Sequence, residues 1–265
     1  MLFVGCTEPK FKKYDIKVLG HGGGGFITTN NHFQPNSAES VKRALLIQGA
    51  DGVEVDIQMT ADSQLVLYHD RRLESSTHAR GYVSDYTIDE VKAIDYRSVP
   101  TIHQQSSTLW SLSEMLDFID SLELNVYLSL NIQEQEEMGG RNSSNVYHEA
   151  LVKLLTNYSG ASRVIVEKRD STFLKGLKEL RDLGVQLYYT GELTTAVMPS
   201  LDSLDGIVSH YLDVEDQELI DELQAKNKGV SLYGVKIRQD VFRSLKMHPD
   251  MIQTDNIPLA KSFLQ

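Results

Sequence analysis

Glu54 and Asp56 stand two apart inside the run Gly49–Asp70, G-A-D-G-V-E-V-D-I-Q-M-T-A-D-S-Q-L-V-L-Y-H-D. Val53, Val55 and Ile57 alternate with Glu54, Asp56 and Gln58, which is the period of a β-strand. Side chains two apart on a strand share a face, so the two carboxylates point the same way. Like charges held side by side repel unless a positive charge lies between them. A hard divalent cation, Ca²⁺ or Mg²⁺, suits that place because it takes oxygen ligands. The same pattern also describes an edge strand with its acids in water. A second apolar run, Leu65–Tyr68, ends at His69-Asp70 and sets an acid–base side chain close behind the pair, which favours a site. Asp70 can orient that imidazole or cap the loop; of the two, the cap is the expectation.

His21 is the other candidate acid–base group. It ends the apolar run Lys17-Val-Leu-Gly20 and opens a glycine run, Gly22–Gly25. The glycines could cradle a phosphate with backbone N–H groups or form a plain turn. They lack the Lys-Ser/Thr of a P-loop. Lys168 stands at a later strand end, with Asp170 as a possible surface partner, and Arg71 and Arg72 follow His69-Asp70. His32, His78, His103, His148, His210 and His248 have no local partner pattern, although His210 also follows a strand.

The elements that must position these groups alternate along the chain. Strands are expected at Lys17–His21, from Val53, and at Asn125–Ile132, Arg163–Val166, Val185–Tyr189, Gly206–Val208, Val230–Val235 and Met251–Gln253. Helical spacing appears at Ala38–Gln48, Tyr147–Leu155, Phe173–Leu183, Gln217–Lys226 and Val241–Leu245. Thr87 with Glu90, and Ser111 with Glu114, have the spacing of capping boxes at the starts of two more. Eight strands alternating with helices predict an α/β fold, a single closed (β/α)₈ TIM barrel, with a doubly wound open sheet as the alternative. In such a barrel working residues gather at the C-terminal strand ends. His21, Glu54, Asp56, His69, Asn131 and Lys168 then converge on one mouth.

Composition narrows the partners. With 37 acidic against 26 basic residues the net charge is −11, and no Lys/Arg stripe interrupts it, which argues against nucleic acid. No apolar run reaches the roughly 20 residues of a membrane span. The single cysteine, Cys6, excludes an internal disulfide. Its setting, Leu2-Phe-Val-Gly-Cys6, resembles the end of a bacterial lipoprotein signal without the basic start and long apolar core. Residues 1–16 are therefore read as a tether and residues 17–265 as the barrel domain. A fuller precursor with a lipid anchor at Cys6 would sit in the bacterial cell envelope; a Cys6 that is not lipidated leaves the protein cytoplasmic. Residues 133–145, acidic and rich in Gly, Asn and Ser, are expected to form a mobile loop. Oligomeric state is not readable.

The chain resembles the glycerophosphodiester phosphodiesterase family. The resemblance rests on His21, Pro35, Gly49-Ala50-Asp51, Glu54, Asp56, Thr60, Asp62, His69-Asp70, Thr77, Gly81, Val83 and Thr254-Asp255, and is densest from His21 to Glu90. Four positions depart from the family pattern. Gly22 replaces an arginine, Pro35-Asn-Ser-Ala38 replaces P-E-N-T, Asn131-Ile-Gln133 replaces E-x-K, and Val235 stands where a tryptophan is usual. Two cations and one anionic ligand are thereby lost. Asn131 remains a neutral oxygen ligand, weaker for Ca²⁺ or Mg²⁺ than a carboxylate.

The resemblance implies metal-dependent hydrolysis of a small-molecule phosphodiester, a glycerophosphodiester or related lipid head group. Glu54, Asp56 and Asn131 would hold one divalent cation. His21 and His69 would act as acid and base, in an order the sequence does not give. Gly22, Gln133 and Lys168 would line the substrate. The alternative is a non-catalytic barrel that has lost activity and binds a ligand. The replacements at Gly22, Asn131 and Gln133 favour it; the intact histidines and acid pair oppose it.

Overall fold

The computed structural model describes residues 15–26, 33–97, 107–133 and 144–264. Cys6, most of the expected tether, the bulk of the 133–145 loop, His32 and His103 lie outside the described residues. Eight parallel strands close a barrel: β1 (Lys17–Gly20), β2 (Gly52–Met59), β5 (Tyr127–Ile132), β6 (Val164–Lys168), β7 (Gln186–Thr190), β8 (Gly206–His210), β9 (Gly229–Val235) and β10 (Met251–Thr254). Closure is explicit, because β1 pairs with both β2 and β10. Leu19 stands opposite Gly52 on one side, and Val18 and Leu19 stand opposite Ile252 and Gln253 on the other. The open-sheet alternative is thus excluded.

Strand alternation sorts the side chains into two environments. Val53, Val55, Leu128, Leu130, Val164 and Val166 point outward and pack with the helices into one large apolar layer. Leu19, Ile165, Tyr188, Val208 and Met251 point inward and fill the lower barrel. Above them the interior turns polar, with Glu54, Asp56, Ser129, Glu167 and Gln253 all buried. Buried polar groups persist only when hydrogen-bonded, so this upper layer is organised before any ligand arrives.

Two short strands depart from the simple barrel. β3 (Leu65–Leu67) runs antiparallel to β2, and β4 (Trp110–Ser111) antiparallel to β3. The β2–β3 hairpin carries the chain beyond the mouth and brings it back, so that the Tyr68 N–H donates to the Asp56 carbonyl at 3.0 Å. His69 therefore lands beside Asp56, not a strand's length away.

Capping signals hold. Ser111 accepts the Glu114 N–H, the Glu114 carboxylate accepts the Ser111 N–H and Oγ–H, and the Thr87/Glu90 box also forms. One expected helix does not. Phe173–Leu183 breaks into a helix at Ser171–Gly176 and a 3₁₀ segment at Lys178–Leu183. At the break Gly176 lies so close to Ser144 that a Cβ there would stand 2.1 Å from its hydroxyl oxygen. Packing between neighbouring elements overrides the helical period at that point. A last helix, Ile257–Leu264, lies beyond the expected elements and carries Pro258. The proline sits in the first turn, where a missing N–H costs nothing. Among the described residues no helix is long and apolar enough to cross a membrane.

Candidate active site

The C-terminal strand ends surround a cavity of about 530 Å³, lined by His21, Glu54, Asp56, His69, Asn131, Gln133, Glu167 and Lys168 among others. Every expected site residue except Gly22 lines it, and Gly22 lies one residue from His21 with its N–H on Glu54 Oε2 at 2.8 Å.

Each histidine is held through Nδ1. His21 follows β1, and its Nδ1 lies 2.9 Å from Asp255 Oδ1, just after β10. The same oxygen accepts the Phe26 N–H at 3.2 Å. Burial pushes the Asp255 carboxyl up, but the His21 hydrogen bond and charge bring it below its ordinary value. A carboxylate on Nδ1 fixes that nitrogen as the protonated one and leaves Nε2 for chemistry. The His21 Nε2 is 4.0 Å from Glu54 Oε2. His69 is held likewise by Asp70, at 3.0 Å from Nδ1 to Oδ1, and that bond raises the imidazole's pKa. Asp70 thus orients the histidine, and a hydrogen bond with Ser76 in the loop that follows also lowers its carboxyl pKa. Phe26 lies between the two imidazoles, with ring centroids 4.6 Å from His21 and 5.3 Å from His69.

The glycine run is what allows this packing. Gly22, Gly23 and Gly25 take φ of +58°, +89° and +97°, the left-handed region. A Cβ on Gly25 would stand 2.5 Å from the Asp255 carbonyl oxygen. The run is a tight turn that binds the mouth together: the Gly23 N–H donates to the Glu54 carbonyl and the Gly25 N–H to the His21 carbonyl.

Asp56 is wrapped by amides. Its Oδ2 accepts Asn36 Nδ2 at 2.8 Å, and its Oδ1 accepts Asn131 Nδ2 at 3.1 Å and Gln133 Nε2. The Asn36 orientation is fixed independently, because its Oδ1 accepts the Asp56 N–H at 2.8 Å. Asn131 and Gln133, both facing inward from the end of β5, thus meet the carboxylate rather than open space.

Glu167 is a third buried acid in the same cavity, and the sequence reading missed it. It stands opposite Asn131 in the β5–β6 register. Its carboxylate accepts Ser129 Oγ at 2.6 Å, Gln253 Nε2 at 2.9 Å and Thr190 Oγ1 at 3.1 Å. Desolvation raises the Glu54 carboxyl well above its ordinary range, and repulsion from Asp56 and Glu167 adds to it. Glu167 is raised too, chiefly by burial. The cavity therefore carries an excess of buried negative charge on hard oxygen donors, and that donor chemistry suits a divalent cation. Among the described residues no three His, Cys, Asp or Glu side chains are gathered to hold a metal. A cation on Glu54 and Asp56 would complete its shell with neutral oxygens, which fits the amide at Asn131.

Lys168 faces the helix side of β6. Its Nζ donates to the Ile132 carbonyl at 3.4 Å and lies 5.0 Å over the Phe173 ring. His210 is removed from the histidine pair and packs edge-on against Tyr233, with ring centroids 5.2 Å apart.

Comparison with known proteins agrees with this architecture. The sequence profile of the glycerophosphoryl diester phosphodiesterase family matches residues 22–259. A glycerophosphodiester phosphodiesterase of Caldanaerobacter subterraneus is 26% identical over 252 residues, covering 90% of this chain and 93% of that protein. A phosphodiesterase of Oleispira antarctica, solved in complex with the product sn-glycerol-3-phosphate, superposes with a TM-score of 0.79 at 19% identity. It covers 94% of this chain and 96% of its own. A glycerophosphodiester phosphodiesterase of Parabacteroides distasonis gives a TM-score of 0.73 at 20% identity, covering 94% and 97%. At these identities the structural likeness establishes the barrel fold.

Proposed function

This chain belongs to the glycerophosphoryl diester phosphodiesterase family, a family of phosphoric diester hydrolases, and from that premise we propose that it cleaves a small glycerophosphodiester by acid–base catalysis between His21 and His69, assisted by one divalent cation. The observation that carries this reading is the pair of imidazoles, each anchored by a carboxylate through Nδ1, on one cavity with Glu54 and Asp56.

The roles follow from the anchors. His21, with Asp255 on Nδ1, has Nε2 available to take a proton from the attacking water as its oxygen bonds to phosphorus. His69, whose Asp70 partner favours the protonated form, gives a proton to the departing alcohol oxygen as the second P–O bond breaks. Phe26 keeps the two rings apart, as acid and base on opposite sides of one phosphorus must be. Glu54 and Asp56, with Asn131 as neutral partner, would hold Ca²⁺ or Mg²⁺, which when bound offsets charge on a non-bridging phosphate oxygen. Gly22 and Gln133 act on the substrate indirectly, by fixing Glu54 and Asp56. Lys168 lines the cavity but turns its ammonium to the Ile132 carbonyl and the Phe173 ring, so its charge acts on the anionic substrate only from a distance.

Two results are expected. Asp255→Asn lowers kcat by at least about 10-fold and up to about 10⁴-fold, the loss when the carboxylate that orients a general-base imidazole becomes an amide, with little change in KM; steady-state kinetics on a glycerophosphodiester checks it. Asn131→Glu removes an N–H donor from Asp56 and adds a charge beside it. It should lower the melting temperature in chelator and tighten divalent-ion binding about tenfold, or about 1.4 kcal/mol. Calorimetric titration and melting with and without Ca²⁺ or Mg²⁺ read both effects, and destabilisation that neither ion reverses would end the metal assignment.

A further inference from the structure

A phosphodiester carries a negative charge into a cavity that already holds Glu54, Asp56 and Glu167. The residues expected to meet it at Gly22 and Gln133 are neutral and turned onto carboxylates. Three cationic side chains line the cavity among the described residues: Arg71, Lys168 and Arg169. Lys168 alternates to the outside of β6, over Phe173. Arg71 follows the exposed His69-Asp70 pair.

Arg169 is differently placed. Alternation along β6 sends Ile165 and Glu167 into the barrel, with Ile165 in the inner apolar cluster, and Arg169 continues that inward-facing row one residue past the strand end. It is exposed and is in no ion pair among the described residues. Its neighbour across the mouth is Tyr233 on β9. Burial raises the Tyr233 hydroxyl's pKa, and the Arg169 guanidinium, within hydrogen-bonding reach, draws it back down. Arg169 and Tyr233 also line an adjoining cavity of about 390 Å³ with Tyr189, Glu192, Thr194 and Asp213. They form the wall between the two spaces.

Resting on the phosphodiesterase reading, we propose that Arg169 is the phosphate-gripping residue of this chain, its guanidinium hydrogen-bonding the non-bridging oxygens while Tyr233 holds it at the rim. A guanidinium suits that task because its planar fork presents paired donors to phosphate oxygens, whereas an ammonium offers a point charge. The cation that meets the substrate has thus moved to the end of β6, two residues beyond the buried Glu167 and on the same face.

The test is calorimetric titration of the full chain with inorganic phosphate and with sn-glycerol-3-phosphate at fixed salt and Mg²⁺. Arg169→Met should weaken both affinities at least tenfold, Arg169→Lys by less, and Tyr233→Phe by less again. Arg71→Met, which removes an exposed charge outside the inward-facing row of β6, should change them about twofold, the scale of a solvent-screened surface charge. Because Arg169 is exposed, its variants should melt near wild type, and the Lys variant keeps the comparison valid if the Met variant does not fold. Wild-type affinity in Arg169→Met would overturn the assignment, as would a loss confined to Arg71→Met. A wild-type chain that binds neither ligand would overturn the phosphodiesterase reading and this inference with it.

Discussion

His21→Ala and His69→Ala each lower kcat on a glycerophosphodiester by about 10²–10⁴-fold, the usual worth of one positioned proton transfer. The two variants should differ in stability. His69 is 46% exposed at its side chain and rests on Asp70, itself 35% exposed, so its loss removes a weak, solvent-screened pair. His21 is partner to Asp255, whose side chain is only 2% exposed. Removing the imidazole leaves that buried carboxylate with the Phe26 N–H and, at 3.7 Å, Lys236. His21→Ala should therefore melt measurably lower at neutral pH and His69→Ala near wild type. The pH dependence has a definite sign. His69 has a raised pKa when folded, so its contribution is complete below the ordinary histidine value and is lost as pH rises through the raised one. Asp70 has a lowered pKa, so its contribution holds above the ordinary carboxyl value and is lost as pH falls through the lowered one. Near-normal turnover in either alanine variant would remove that histidine from the mechanism.

Glu54→Gln should raise the melting temperature of the chelated protein and abolish the further rise that a divalent cation gives the wild type. The folded state holds Glu54 in a desolvated place facing two more acids, which keeps its carboxyl protonated to higher pH than in the unfolded chain. Stability is then greatest in acid and falls as pH rises from the ordinary carboxyl value through the raised one. A neutral amide of the same shape escapes that loss, so the variant's advantage grows as pH rises from the ordinary carboxyl value through the raised one. For a chain of this size each kcal/mol is about 2–4 °C. Affinity for Ca²⁺ or Mg²⁺ should fall at least about tenfold with a charged ligand gone. Melting curves at two pH values, each with chelator and with Mg²⁺, separate the two effects. A Glu54→Gln protein less stable in chelator than the wild type would show that Glu54 is a structural anchor and not a strained ligand.

Much of the barrel was legible because its outward-facing strand residues are apolar and its inward-facing ones change character with height. Val53–Ile57 and Val164–Val166 announce strands by β-branched side chains, and the Thr87 and Ser111 caps announce helix starts by fixed spacing. Glu54, Asp56, His21 and His69 were legible because acid pairs and post-strand histidines are locally patterned. The groups that complete the site are not. Asp255 lies 234 residues from His21 and was seen only as a motif match. Glu167 lies one residue past the expected strand end at Val166, and only the register sets it against Asn131. Asn36 appeared only as part of a departure from the family pattern, yet it holds Asp56 by both its oxygen and its nitrogen. Partnerships of this kind depend on which strands become neighbours, and a local pattern does not carry that information.

The most direct test of the account is turnover of a panel of glycerophosphodiesters by the full chain with Ca²⁺, with Mg²⁺ and with chelator. Release of glycerol phosphate from at least one member is expected with a divalent ion, lost in chelator and restored when the ion is returned. The same release should be abolished in the His21→Ala and His69→Ala proteins. No turnover of any member with either ion, from a protein that melts cooperatively, would contradict the account and leave a barrel that binds without cleaving.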